Sequence, residues 1–177
     1  MTCVPLFRVL FVCVGNVCRS PLGERLLAKR LENTDVEVSS AGVAALVGAP
    51  MTPQSAVHLG PYGATADGFA SRQLTPRIVE ESDLVLAATK AIRSRILEDS
   101  PSALRRTFTM REFAALLDIV EPSGDRARLV RSAAEERSRA ALDDYDIVDP
   151  YGRDDEAYAH AATLIGAAVD RIAKGLS

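Results

Sequence analysis

The chain has 177 residues, 47% of them hydrophobic and 25% charged, with a formal net charge of −3. That length suits one domain, residues 1–177, around a single core, and Lys and Arg scattered among acids give no surface for nucleic acid. No apolar run is long enough to span a bilayer, Met1–Pro5 lacks the basic start and apolar centre of a signal peptide, and Cys3, Cys13 and Cys18 make neither a disulfide framework nor a zinc spacing. The expected compartment is the cytoplasm, with no membrane partner, no metal and no cofactor.

Phe7–Val12 is a nearly continuous apolar run, the pattern of a strand buried on both faces of a parallel sheet. Pro21 reads as a first helical position, where its missing N–H leaves nothing unsatisfied, and Leu22, Leu26, Leu27 and Leu31 follow at helical spacing. Val36–Ser40 alternates apolar and polar residues and ends at Gly42, a second strand. Residues 41–52, rich in Gly, Ala and Pro, predict a loop. Thr52-Pro53 and Thr75-Pro76 predict helix starts with threonine as N-cap.

Asp83–Ala88 predicts a third buried strand with a helix after it to about Glu98, and Arg106–Met110 a short fourth strand. Glu112–Ile119 and Arg126–Leu142 read as helices separated by a turn at Pro122-Ser123-Gly124. The mixed charges of 126–144 read as a solvated helix face, and an Ala-rich helix, Asp154–Leu176, closes the chain. Four strands separated by helices predict an α/β fold, a three-layer sandwich with a central four-stranded parallel sheet and helices on both faces. In such sheets ligands bind beyond the carboxyl ends of the strands. Cys13 lies at one of those ends.

The segment Cys13-Val14-Gly15-Asn16-Val17-Cys18-Arg19-Ser20-Pro21 carries the chemistry. A strand delivers a thiol to a tight turn, and a helix opens just after it. Backbone N–H groups and the helix dipole there favour negative charge, so they stabilise thiolate over thiol. Arg19 adds a planar fork able to hold two phosphate oxygens. A nucleophile under an oxyanion cradle is what attack on a phosphoester needs. The plain alternative is that Cys13 is a packed strand end and Gly15-Asn16 an ordinary turn. His58 and His160 stand alone, without a partner at ligand spacing.

Cys13–Pro21 resembles the active-site loop of the low-molecular-weight protein tyrosine phosphatases, C-x-G-N-x-C-R-S-P. Ser40-Ala41-Gly42 and Asp149-Pro150-Tyr151 match two further family motifs in order, with an expansion around 121–146. The resemblance implies a cysteine-dependent phosphomonoester hydrolase, a protein tyrosine phosphatase working through a thiophosphate intermediate. Cys13 would be the nucleophile, with Arg19 and the backbone of Val14, Gly15, Asn16, Val17 and Cys18 binding phosphate. Ser20 would hydrogen-bond the sulfur, cap the helix, or both, and Asn16 would hold a left-handed turn. Asp149 would be general acid and then base, while Tyr151 lines the pocket.

The resemblance also implies a role for Cys18, trapping an oxidised Cys13 as a disulfide; filling the loop interior is the alternative. The implied partner is a phosphotyrosine-containing protein, a tyrosine kinase among the candidates, and the chain itself a monomer or weak homodimer. Three departures stand out. Leu46 takes the place of an aromatic wall, Phe69 that of a histidine, and Ala88 that of an aspartate, the last two being braces of the loop asparagine in relatives. Three alternatives remain open: an arsenate reductase recycled by a small thiol, since no cysteine follows Cys18 to relay a disulfide; a protein-arginine phosphatase, disfavoured by Val17 where those enzymes carry threonine; and a non-catalytic phosphate-binding module.

Overall fold

A computed structural model describes residues 6–177, so Cys3 and the reading of Met1–Pro5 lie outside the described residues. Strands β1 (Phe7–Cys13), β2 (Val36–Gly42), β3 (Leu84–Ala87) and β4 (Thr107–Thr109) form one parallel sheet in the order β2-β1-β3-β4. Val9 to Cys13 of β1 and all of β3 are buried, because these two central strands are covered on both faces. Helices α1 (Arg19–Arg30), α5 (Met110–Leu116) and α7 (Asp155–Leu176) pack together on one face. Helix α4 (Lys90–Asp99) and the 3-10 turn Pro101–Arg106 lie on the other, as right-handed crossovers running in opposite directions require. The chain leaves β1 toward β2 and returns to β3, so the switch of direction falls between β1 and β3, at the end where Cys13 sits.

Short helices α2 (Pro53–Ala56) and α3 (Pro76–Glu80) and the longer α6 (Arg126–Glu135) complete the fold. Phe11, Leu27, Leu84, Leu86, Phe108, Phe113, Ile165 and Val169 are among the fully buried side chains that weld the layers. Helix α1 approaches β1 closely at Gly23, where a Cβ would lie 2.6 Å from the Phe11 ring.

Four local expectations need correcting. Helix α1 begins at Arg19, so Pro21 is its third residue and Ser20 lies inside the first turn rather than capping it. At α2 the Thr52 side chain makes no capping bond; its hydroxyl lies 3.5 Å from Cys18 Sγ instead. Helix α5 starts at Met110, earlier than Glu112, because Thr109 and Glu112 form a reciprocal capping box. That box also ends the fourth strand at Thr109.

The fourth correction is the largest. Helix α6 stops at Glu135, and after a 3-10 turn at Arg137–Arg139 the chain runs irregularly to α7. Burial decides this. Ala140 and Ile147 enter the core, Tyr145 Oη donates to Ala140 O at 2.6 Å, and Arg137 donates to the Leu104 and Thr107 carbonyls. Leu129, Val130 and Ala133 are buried as well, so α6 carries an apolar face beside its charged one.

Candidate active site

The loop from Val14 to Cys18 joins the carboxyl end of β1 to the amino end of α1. Its carbonyls are tied outward: Val43 N–H donates to Cys13 O, Ala44 N–H to Val14 O, Leu46 N–H to Gly15 O and Thr52 N–H to Val17 O, at 3.0, 3.0, 3.0 and 2.8 Å. The N–H groups of Gly15–Cys18 are thereby left for the concave side, without an acceptor among the described residues. Asn16 takes the left-handed turn, φ 56°, the conformation asparagine tolerates better than most. Gly42 makes room for it: a Cβ there would lie 2.4 Å from Val14 O and 3.0 Å from Asn16 N.

Cys13 Sγ is 2.9 Å from Ser20 Oγ at the floor of this turn. Asn16 and Ser20, both fully buried, sit behind the loop and support it rather than line the opening. Asn16 Nδ2 donates to Ser20 Oγ and to Ser40 Oγ, each at 2.9 Å, and Asn16 Oδ1 accepts the Arg72 N–H at 2.9 Å. This brace holds the loop asparagine without the side chains of Phe69 or Ala88. Phe69 packs beside the Arg25 guanidinium, 5.6 Å from its ring centroid, and Ala88 offers only backbone, accepting the Ile147 N–H at 2.9 Å. The Ser40 hydroxyl donates in turn to Glu24 Oε2. Burial pushes the Glu24 carboxyl above its ordinary range, against the pull of Ser40, Arg25 and Arg72.

Arg19 is almost wholly enclosed. Its Nη1 donates to Ile147 O at 2.7 Å, its Nη2 lies 3.1 Å from Asp149 Oδ2, and its buried Nε has no partner among the described residues. The Asp149 side chain is 45% exposed, and Oδ1 accepts the Tyr151 N–H at 3.2 Å in a turn that Pro150 supports. Cys13, Val14, Gly15, Val17, Cys18, Leu46, Asp149 and Tyr151 therefore line one cleft of about 150 Å³, joined by Ala44. Leu46 packs 3.8 Å from where a Gly15 Cβ would be, and Leu46 and Tyr151 stand half-exposed as its walls.

Cys18 faces away from solvent, 3.5 Å from Thr52 Oγ1 and 3.7 Å from Tyr158 Oη, and both Cys13 and Cys18 are free thiols. Burial raises the Cys18 thiol above its usual range; Thr52, Tyr158 and Ser55 oppose that rise. No group of three or more His, Cys, Asp or Glu is placed to hold a metal ion among the described residues, and none of their helices is long and apolar enough to cross a membrane.

Sequence reasoning missed Glu24, Ser40, Arg72, Tyr158 and the Ile147 carbonyl. Ser40 stood within a quoted motif without a role. Glu24 had only its place four residues past Ser20, one turn along α1, as a signal. Tyr158 and Ile147 act through tertiary contacts that no local pattern announces.

Residues 8–139 match the family model described as low molecular weight phosphotyrosine protein phosphatase. The chain belongs to this family. Among its relatives is the low molecular weight protein-tyrosine-phosphatase Etp of Escherichia coli K12, 30% identical over 169 residues that cover 96% of this chain and 94% of Etp. A protein-arginine-phosphatase of Geobacillus stearothermophilus is 36% identical over 132 residues, 73% of this chain and 88% of that protein. Among solved structures, the YwlE arginine phosphatase of that organism superposes with a TM-score of 0.74 at 32% identity, covering 96% of this chain and 92% of that one. Vibrio vulnificus Wzb in complex with benzylphosphonate gives a TM-score of 0.71 at 30% identity, with 96% and 98% covered. The family match spans the Cys13–Ser20 loop and ends before Asp149, so the place of Asp149 rests on the geometry above.

Proposed function

We propose that this phosphatase hydrolyses phosphotyrosine in proteins by double displacement at Cys13, using no metal or other cofactor. One observation carries the reading: a thiol at the floor and a carboxyl at the lip line one apolar-walled cleft, and a buried guanidinium, its Nε unpartnered among the described residues, lies 3.1 Å from that carboxyl. In the first step Cys13 attacks phosphorus as the thiolate, the bond to the phenolic oxygen breaks, and the protonated Asp149 gives that oxygen its proton. Water then attacks the thiophosphate, Asp149 takes a proton from it, and the S–P electron pair returns to sulfur as phosphate leaves. The amides of Val14–Arg19 hold the equatorial oxygens together with Arg19 Nε and Nη2. Asp149 occupies Nη2 in the free protein; an entering phosphoryl group displaces it and frees its carboxyl to face the leaving oxygen.

Leu46 and Tyr151 favour an aryl group between them. Dephosphorylation of arginine is the second reading, favoured by the 36% identity with the Geobacillus protein and opposed by Val17, which has no hydroxyl to orient substrate or water. The proposed substrate is a phosphotyrosine-bearing protein, a tyrosine kinase among the candidates, met in the cytoplasm by a single-domain monomer or weak homodimer. The test is turnover of an aryl phosphate, a phosphotyrosine peptide and a phosphoarginine peptide by wild type, Cys13→Ser and Asp149→Ala, with and without chelator. Hydrolysis of the first two substrates, lost in Cys13→Ser and indifferent to chelator, is expected. Turnover surviving in Cys13→Ser refutes the mechanism, and preference for phosphoarginine moves the substrate to the second reading.

A further inference from the structure

Three buried groups and the partly buried Glu24 form a continuous hydrogen-bonded line behind the nucleophile: Glu24 Oε2, Ser40 Oγ, Asn16 Nδ2 and Ser20 Oγ, ending at Cys13 Sγ. Its direction matters. The Ser20 hydroxyl has one proton and two nearby acceptors, Cys13 Sγ at 2.9 Å and Ala41 O at 3.5 Å. Asn16 Nδ2 fills a lone pair of Ser20 and one of Ser40, which leaves each serine its proton to donate elsewhere. For Ser40 the acceptor is Glu24. Take that acceptor away and the buried Ser40 proton is unsatisfied unless the Asn16 amide turns over. The turned amide would present Oδ1 to both serines, drawing the Ser20 proton off the sulfur and setting Nδ2 against the Arg72 N–H.

We propose that the Glu24 carboxylate is a positioning group for the nucleophile, fixing the direction of the Ser40–Asn16–Ser20 hydrogen bonds so that the Ser20 proton points at Cys13 Sγ. The kinetic consequence rests on the hydrolase reading; the state of the sulfur does not. Two cations face the carboxyl: Arg25 Nε lies 3.3 Å from Oε1, and Arg72, which also donates to Ser40 O at 2.8 Å, stands on the next segment. An amide at this position can satisfy Arg25 or Ser40 but not both, so Glu24→Gln keeps the volume and spoils the direction.

The experiment compares wild type, Glu24→Gln, Glu24→Met, Ser20→Ala and the double variant Ser20→Ala/Glu24→Met. Two readouts are taken: kcat for an aryl phosphate, and the rate of inactivation of Cys13 by iodoacetamide at one near-neutral pH. Glu24→Met should lower both about three- to tenfold, the scale of one charge-assisted hydrogen bond weakened rather than removed, with Glu24→Gln between it and wild type. In the Ser20→Ala background the Glu24 substitution should change neither rate further, because the donor it directs is gone. A Glu24 effect that persists in full without Ser20, or alkylation indifferent to Glu24, overturns the proposal whatever happens to thermal stability. If wild type turned over no aryl phosphate while the alkylation pattern held, the hydrolase reading would fall and the relay would stand.

Discussion

Arg19→Lys separates the geometry of the guanidinium from its charge. In the wild-type site one nitrogen anchors the group on Ile147 O at 2.7 Å, a second meets Asp149 at 3.1 Å, and Nε is buried without a partner among the described residues. A lysine ammonium keeps the positive charge but cannot hold the Ile147 carbonyl while offering two parallel N–H groups to phosphoryl oxygens. A hydrogen bond to a charged group contributes about 1.5–3 kcal/mol. Losing one or two in the transition state, with part of the Coulomb attraction kept, comes to about 2–4 kcal/mol, or about 30- to 1,000-fold in kcat/KM. The lost Ile147 bond, also made by a charged group, bears on the fold at about 1.5–3 kcal/mol, a fall in Tm of about 3–12 °C. The assay is kcat/KM on an aryl phosphate, paired with the inhibition constant of inorganic phosphate and a melting curve. Phosphate inhibition should weaken along with turnover, since the unpaired Nε has no work in the free protein. A variant within threefold of wild type on both counts would refute the assignment of Arg19 as the oxyanion fork.

Gly42→Ala should destabilise the loop by about 1–3 kcal/mol, because the new methyl meets backbone at 2.4 Å and 3.0 Å, whereas Gly124→Ala, with nothing within 4 Å, should melt like wild type; equal melting temperatures would remove the argument. Cys18, its thiol raised by burial, should label with iodoacetamide slowly at neutral pH in the native protein and speed up only above the ordinary thiol range of about 8.5; peptide mass spectrometry showing native and unfolded labelling alike at neutral pH would contradict this. Arg126 holds the Asp35 carboxyl below its ordinary value, so this pair stabilises the fold above the unfolded carboxylate range and ceases to as pH falls through the lowered native value. The Tm gap between wild type and Asp35→Asn should therefore be present at neutral pH and close in strong acid; a gap that widens there has the wrong sign.

The parts of this molecule that chain order alone could reveal are those governed by local periodicity and turn chemistry. The Phe7–Val12 run, the leucines of α1 and the Thr75 cap all read correctly, because burial on both faces, helical spacing and an oxygen before proline each leave a short-range imprint. Two errors are local, the starts of α1 and α5; the larger ones fall where distant residues decide. Residues 136–142 have the composition of a helix, yet Arg137 is drawn to the Leu104 and Thr107 carbonyls and lies 4.3 Å from the centroid of the Phe108 ring. Thr52 has the form of a cap, yet its hydroxyl turns to a cysteine 34 residues earlier.

The same distinction separates the two halves of the site. The loop that holds Cys13 is built from consecutive residues, and its pattern announces it. Asp149 is delivered by tertiary contacts from the segment after α6: Asp146 accepts the Lys90 N–H at the start of α4, Arg111 bonds the Asp146 carbonyl at 3.4 Å, and Ile147 donates to Ala88 O just past β3. The next carbonyl contact belongs to the site itself, since Ile147 O receives Arg19. One residue thus ties the end of β3 to the guanidinium, and Asp149 follows two residues on. The segment 121–146 leads into a strap that holds the proposed acid and the proposed oxyanion fork in a common frame. Its frame is set by the Asp146 side chain and by the backbone of Asp146 and Ile147, so the Asp149-Pro150-Tyr151 motif names the acid without disclosing what holds it in place.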